Sequence, residues 1–246
     1  MNRHISNPVG LEIVAGLSGI DKKIGENTDY IVNIVKNALS RDGLTVVGTT
    51  VHRQKDRTID ILTLISESHC ILKIIPDGRV EFDLYSCKDE RSGKKAYSII
   101  KDALGLKEEF KQENPVYVSE RMLVNTPKYS QTTPIGNRFM AVLSLFGDQF
   151  DYKNLTKIVK SMHKKVVAET KCDFKNKKKE VVGMSCIYLG NDGSQSNIHT
   201  YHEYDTMTLS GRFQNEAQSR KSLDNVIGVL MPLDIYIIEP KVLALR

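Results

Sequence analysis

The reactive side chains of this sequence gather round one short connection, Ile65-Ser66-Glu67-Ser68-His69, between two stretches rich in β-branched residues. Upstream lies Thr50-Val51-His52-Arg53, and downstream come Pro76-Asp77 and then Asp83-Leu84-Tyr85-Ser86-Cys87. A second group follows later in Gly183-Met184-Ser185, Asp192-Gly193-Ser194, Ile198-His199-Thr200-Tyr201 and Glu203-Tyr204. Hydroxyl, thiol, imidazole and carboxylate groups of this kind serve nucleophilic and acid-base chemistry. Each residue taken singly has a plainer reading. Ser68 in a strand connection is an ordinary turn residue, Cys87 a small buried hydrophobe, and His199 a hydrogen-bonded core histidine. For Ser185 the neighbouring Cys186 is the rival, because a one-residue slip on a strand exchanges the two faces. Only the combination points to a site. The four cysteines, Cys70, Cys87, Cys172 and Cys186, have neither CxxC nor Cys/His metal spacing, so no disulfide framework and no metal centre is expected.

The elements that must hold these residues follow from periodicity. Leu11 to Leu17 is an apolar stretch, and after a turn-rich segment Ile31, Ile34, Val35 and Ala38 fall at helical spacing, with Thr28 as the expected cap and Gly43 as the stop. Leu44 to Val51, Ile59 to Ile65, Cys70 to Ile75 and Val80 to Tyr85 read as strands, with a turn at Pro76-Asp77-Gly78. The last of them alternates Val80, Phe82 and Leu84 with Glu81 and Asp83, which predicts one buried and one wetter face, as in an antiparallel sheet with helices on one side. Lys94 to Leu104 adds a helix. From about 106 to 136 the chain turns charged and carries Pro115, Pro127 and Pro134, a connector with room for a strand of its own.

The same order then returns: a strand over Phe139 to Leu145, a turn at Gly147-Asp148, and a helix with Leu155, Ile158, Val159 and Met162 on one face. Strands over Val181 to Leu189 and Ser196 to Tyr201, a helix over Glu216 to Val229 and a strand over Leu233 to Ile238 complete it. The chain reads as two α/β repeats, residues 1–120 and 121–246.

No apolar run approaches the roughly 18 residues of a membrane span, and the first ten residues carry no charged-then-apolar signal, so a cytoplasmic protein without membrane partners is expected. The net charge of +5 owes much to Lys175, Lys177, Lys178 and Lys179. No aromatic residues interleave with these lysines, so they read as a solvated loop between strands, and no nucleic-acid partner is expected.

The ordered set from Thr50 to Cys87 closely resembles the prokaryotic S-adenosylmethionine decarboxylase family, in which a Ser-Glu-Ser-His core is followed by a Pro-Glu turn and an Asp-Leu-aromatic-Thr-Cys strand. It covers about residues 11 to 105. The resemblance implies a zymogen that cuts itself between Glu67 and Ser68, leaving a covalent pyruvoyl cofactor at position 68 and α and β chains that stay together. Such a group is needed because no ordinary side chain is an electron sink for a carbanion at an amino acid's α-carbon. The Ser68 hydroxyl would attack the Glu67 carbonyl through an oxyanion. Substrate would then form a Schiff base with the pyruvoyl carbonyl and lose carbon dioxide. Cys87 matches the family's proton donor, and an ordinary thiol pKa of about 8.5 suits that role at neutral pH.

The first repeat departs from the prokaryotic pattern: Lys73 stands in the place of the processing histidine and Asp60 in that of the upstream serine. The second repeat holds both, as His199 and Ser185, fourteen residues apart. In the duplicated eukaryotic members each site takes serine and cysteine from one repeat and the processing histidine and serine from the other. The resemblance therefore implies one complete set, Ser68, Cys87, His199 as processing base and Ser185 as helper at the oxyanion stage. The converse set, Ser194 with Lys73, Asp60 and Gln214, lacks the cysteine and should be dead. The resemblance also implies Glu67 and Glu203 as substrate-binding residues, with Glu203 the candidate for holding ribose hydroxyls. The family holds adenine between two aromatic rings, whose places are taken here by His4 and Lys179.

The fold implied is α/β in the α+β sense, a four-layer αββα sandwich built from two repeats, each an antiparallel sheet with helices on one face. The activity implied is that of a carboxy-lyase making decarboxylated S-adenosylmethionine for spermidine synthesis, and a homodimer is compatible with it. Two other readings stand beside it: a pyruvoyl-dependent ornithine or arginine decarboxylase of the same fold, acting on a basic amino acid, and a non-catalytic regulatory subunit of a decarboxylase.

Overall fold

Leu11, Ile13, Ala15 and Leu17 alternate along a strand, and one side of a sheet is apolar because that alternation continues across its neighbours. The computed structural model describes residues 10–66, 68–89, 91–116, 137–145, 152–175, 177–201, 206–230, 232 and 234–238. The chain divides into two compact units, Met1–Tyr117 and Val118–Arg246.

The first unit contains β1 (Gly10–Ser18), α1 (Lys22–Glu26), α2 (Thr28–Arg41), β2 (Val46–Arg53), β3 (Ile59–Ile65), β4 (Ser68–Ile74), β5 (Arg79–Ser86), α3 (Lys94–Ala103) and β6 (Lys107–Val116). Its strands form one antiparallel sheet in the order β2-β3-β4-β5-β1-β6. Ile61, Leu72, Phe82 and Ala15 lie in one row across β3, β4, β5 and β1, and with Ile31, Val35 and Leu39 of α2 and Tyr97 and Ile100 of α3 they belong to a single apolar core. The helices thus cover one face.

Two helix ends meet above that face. Asp42, just past α2, accepts hydrogen bonds at Oδ2 from the N–H groups of Gly93 (2.8 Å) and Ala96 (3.0 Å), so it supplies the cap that Gly93 itself has no side chain to make. Gly93 has φ +94°, and a Cβ there would come within 2.4 Å of a Leu84 methyl. Both facts require glycine.

The second unit contains β7 (Arg138–Ser144), α4 (Tyr152–Lys160), β8 (Val166–Lys175), β9 (Val181–Gly190), β10 (Gln195–Tyr201), β11 (Thr206–Arg212), α5 (Glu216–Leu230) and β12 (Asp234–Ile238). Its sheet runs β8-β9-β10-β11-β7-β12, which reproduces the first sheet strand for strand. Leu155 and Val159 of α4 and Leu223, Val226 and Leu230 of α5 share a core with Met184, Cys186, Ile198 and Leu209. Each unit is therefore a mixed α+β layer pair, an antiparallel sheet with helices on one face, as the sequence implies.

Several details differ from the sequence-based expectation. Asn27, not Thr28, caps α2: its Oδ1 accepts from the N–H of Tyr30 at 3.2 Å. The turn-rich segment holds the short helix α1, capped by Asp21. Strands β8 and β11 have no counterpart in the pattern read from the sequence, whereas the charged stretch after 106 does carry a strand, β6. The boundary at 120, the Gly147-Asp148 turn, His4, Glu67 and Glu203 lie outside the described residues. Among the described residues no helix is long and apolar enough to cross a membrane.

Candidate active site

Strand β3 ends at Ile65 and β4 begins at Ser68, so Ser66 and Glu67 make the connection. The Ser66 N–H donates to the Thr45 carbonyl at 2.9 Å, which ties the turn back to the start of the neighbouring chain segment. Ser68 follows with φ +144°, a region that is otherwise nearly confined to glycine. It is 1% exposed. A residue with a Cβ held there costs about 1–3 kcal/mol, which the buried surroundings must offset.

Register fixes what lies beside it. Ser68 pairs with Ile65 on one side and Ser86 on the other, and Ser86 pairs in turn with Leu11. Cys87, half-buried, is the next residue after Ser86 and so leaves the sheet at the end where Ser68 enters it. Gly10 allows this closeness: a Cβ on it would lie 2.3 Å from the Ser86 carbonyl oxygen and 2.9 Å from the Cys87 Cα. Past Cys87 the loop is pinned by Asp89, whose Oδ1 accepts from the N–H groups of Arg91 and Ser92.

Ser68 Oγ lies 3.1 Å from His69 Nδ1, and His69 Nε2 lies 3.5 Å from Asp83 Oδ1. The Tyr85 ring stands edge-on to the imidazole at 6.1 Å. His69 was not singled out from the sequence. The signal was present, since both His69 and Asp83 belong to the quoted motifs, but only the fold shows that they follow the serine hydroxyl in line.

Asp60 and Lys73 are directly paired across β3 and β4, in a row that runs His52, Asp60, Lys73, Glu81. Burial pushes the Asp60 carboxyl above the usual carboxylate range, against the pull of its hydrogen bond from Gln54 Nε2 (2.6 Å) and of the Lys73 charge. In the second sheet the same two register positions hold Ser185 and His199, likewise directly paired, on β9 and β10. The row there runs Cys172, Ser185, His199, Thr208. Both Ser185 and His199 are buried, and the Phe174 ring is 5.6 Å from the imidazole. Cys186 faces the opposite way, into the helix-side core with Met184, where burial pushes its thiol up to about 11. Of the two neighbours, Ser185 is the one that shares a face with His199.

Ser194, at the place in the second unit that Ser68 holds in the first, is built into a different network. Its Oγ donates to Asp192 Oδ1 at 2.5 Å and so accepts from His163 Nδ1 at 2.7 Å, while His163 Nε2 accepts from Ser196 Oγ at 2.7 Å. Burial pulls the His163 pKa down to about 4, in keeping with a neutral ring that donates once and accepts once. Here the hydroxyl is an internal fastening. Among the described residues no three His, Cys, Asp or Glu side chains gather to hold a metal ion. A cleft of about 650 Å³ lies at the other end of the first sheet, lined by Arg53, Arg57, Ile59, Ile74 and Asp77 among others, away from Ser68.

The structure is thus a repeated antiparallel α+β unit, with a buried serine at positive φ at one strand entry and a half-buried cysteine one residue past its register partner. Comparison gives the family. The model of the S-adenosylmethionine decarboxylase family matches residues 11–114. An S-adenosylmethionine decarboxylase proenzyme of Thermosipho africanus is 32% identical over 97 residues, 39% of this chain and 75% of that protein. A proenzyme of the same name from Thermotoga petrophila is 31% identical over 100 residues, 40% of this chain and 77% of its own. The solved adenosylmethionine decarboxylase of Aquifex aeolicus superposes with a TM-score of 0.43 at 22% identity, covering 47% of this chain and 96% of that one. The chain belongs to the S-adenosylmethionine decarboxylase family.

Proposed function

We propose that this chain is a self-cleaving, pyruvoyl-dependent carboxy-lyase that decarboxylates S-adenosylmethionine for polyamine synthesis. Family membership supports the reaction class, and the observation that carries the self-processing is Ser68, buried at φ +144° directly after the proposed scissile residue Glu67. The residues present suit the cofactor: the serine that would become the pyruvoyl group is there, shielded from water, with its hydroxyl already in a hydrogen bond. Once formed, that group supplies the electron sink for decarboxylation.

This chain's own residues divide the remaining work. In processing, the Ser68 hydroxyl attacks the Glu67 carbonyl, the Ser185 hydroxyl assists the oxyanion, and the resulting ester joins Glu67 to Ser68 Oγ. His199 removes the Ser68 α-proton, the Glu67 carboxylate leaves, and hydrolysis with loss of ammonia ends the second chain in the ketone. In turnover, Cys87 Sγ holds the proton for the substrate α-carbon, and Glu67 and Glu203 hold the substrate, Glu203 at the ribose hydroxyls. The first unit thus carries the scissile pair and the thiol, and the second carries the base and the helper. The pairing of Ser185 with His199 supports their joint role, and the matching places in the first sheet hold residues of other types, Asp60 and Lys73. Localisation in the cytoplasm and cohesion of the two cut chains belong to the same reading. The relatives' names do not favour ornithine or arginine as substrate, nor a purely regulatory role.

Release of carbon dioxide from carboxyl-labelled S-adenosylmethionine, ornithine and arginine, with Ser68→Ala as the blank, tests the substrate. Release from S-adenosylmethionine alone is expected. Release from ornithine or arginine instead would overturn the substrate, and none from any of the three would overturn the enzyme.

A further inference from the structure

We infer that His69, oriented by Asp83, is the base that takes the Ser68 hydroxyl proton in the first step of chain cleavage, a separate task from the α-proton removal assigned to His199. The inference rests on the proposed self-cleavage. Three observations carry it. His69 Nδ1 lies 3.1 Å from Ser68 Oγ, within reach for proton transfer. Asp83 Oδ1 lies 3.5 Å from the other ring nitrogen, which favours the tautomer with hydrogen on Nε2 and leaves Nδ1 as the acceptor. All three groups sit on adjacent strands, with His69 on β4 directly paired to Tyr85 on β5 and Asp83 two residues before it, so the sheet itself holds the line. A serine that must attack a carbonyl is a weak nucleophile until a neighbouring base shares its proton.

The proton count closes within the site. As Ser68 Oγ bonds to the Glu67 carbonyl carbon, its proton passes to His69 Nδ1. When the carbon–nitrogen bond breaks, the imidazolium returns that proton to the Ser68 nitrogen, which becomes the amine of the ester. His69 ends neutral and no outside reactant is consumed, and the later removal of the α-proton stays with His199.

The test follows cutting of the freshly purified full chain by intact mass, for wild type, His69→Gln, Asp83→Asn and His199→Ala, with Ser68→Ala as the uncut standard of folding. Hydroxylamine, which cleaves esters, is added to each uncut sample. His69→Gln should melt like Ser68→Ala, cut about 100-fold more slowly than wild type or worse, and give no hydroxylamine fragments. Asp83→Asn should slow cutting less. His199→Ala should stay uncut but fall apart in hydroxylamine, because its ester forms and waits. Cutting of His69→Gln within threefold of wild type would overturn the inference, as would hydroxylamine-sensitive His69→Gln. Should His69→Gln fail to match the Ser68→Ala melt, His69→Ala with added imidazole decides: restored cutting supports the base, and none overturns it. An uncut wild type would instead refute self-cleavage, which is a different failure.

Discussion

Strain at Ser68 can be measured without any chemistry taking place. Ser68→Ala and Ser68→Gly both lack the hydroxyl, so neither chain can cut and both lose the contact with His69. They differ in whether a Cβ must occupy φ +144°. A change from alanine to glycine at an ordinary buried strand position costs about 0.5–1 kcal/mol in backbone freedom and about 0.8 kcal/mol in buried apolar volume. Ser86 provides that control, since it is buried, faces Ser68 across the register and has no positive φ. On the Ser68→Ala background, Ser86→Gly should therefore be less stable than Ser86→Ala by about 1–2 kcal/mol. At position 68 the same exchange relieves about 1–3 kcal/mol of strain. Glycine there should therefore be better tolerated than at 86, and the two positions should differ by that 1–3 kcal/mol. Urea unfolding followed by far-UV circular dichroism suits a chain without tryptophan. An equal glycine penalty at 68 and 86 would refute the claim that the serine is strained.

Gly10→Ala should cost about 1–3 kcal/mol, because its methyl group would meet the backbone of Ser86 and Cys87, and thermal unfolding checks it. The His163 pKa of about 4 lies below the ordinary 6.5, so the folded state binds fewer protons there than the unfolded chain. The stability this supplies is full above about pH 6.5 and lost as pH falls toward 4, a span worth up to about 3 kcal/mol, and His163→Asn should flatten that part of the profile in unfolding titrations. Native alkylation mapped by mass should spare Cys70 and Cys186, whose thiols burial pushes up, and reach Cys87 and Cys172 first. Modification of Cys186 as fast as Cys172 would contradict its placement in the core.

Much of this is legible in the sequence. Val80, Phe82 and Leu84 alternate strongly enough to assign their strand and its buried face, and the motif round Ser68 lies where strand ends were expected. Strand β8 escaped because Val166–Lys175 alternates half-buried with exposed residues, leaving little apolar signal on either face. In β11 the apolar members are only Met207 and Leu209, set among threonine, serine and glycine. Site residues joined by register were harder still. That Ser185 rather than Cys186 shares the His199 face depends on pairing between strands, which spacing along one chain does not reveal. The His163–Ser194 bond spans 31 residues and carries no motif at all.

The most direct test of the central claim is the intact mass of the purified chain under denaturing conditions, beside Ser68→Ala. Two fragments, residues 1–67 and 68–246, with the second blocked by a pyruvoyl group and neither seen in the variant, are the predicted result. A single uncut chain after long incubation, in wild type and variant alike, would contradict it.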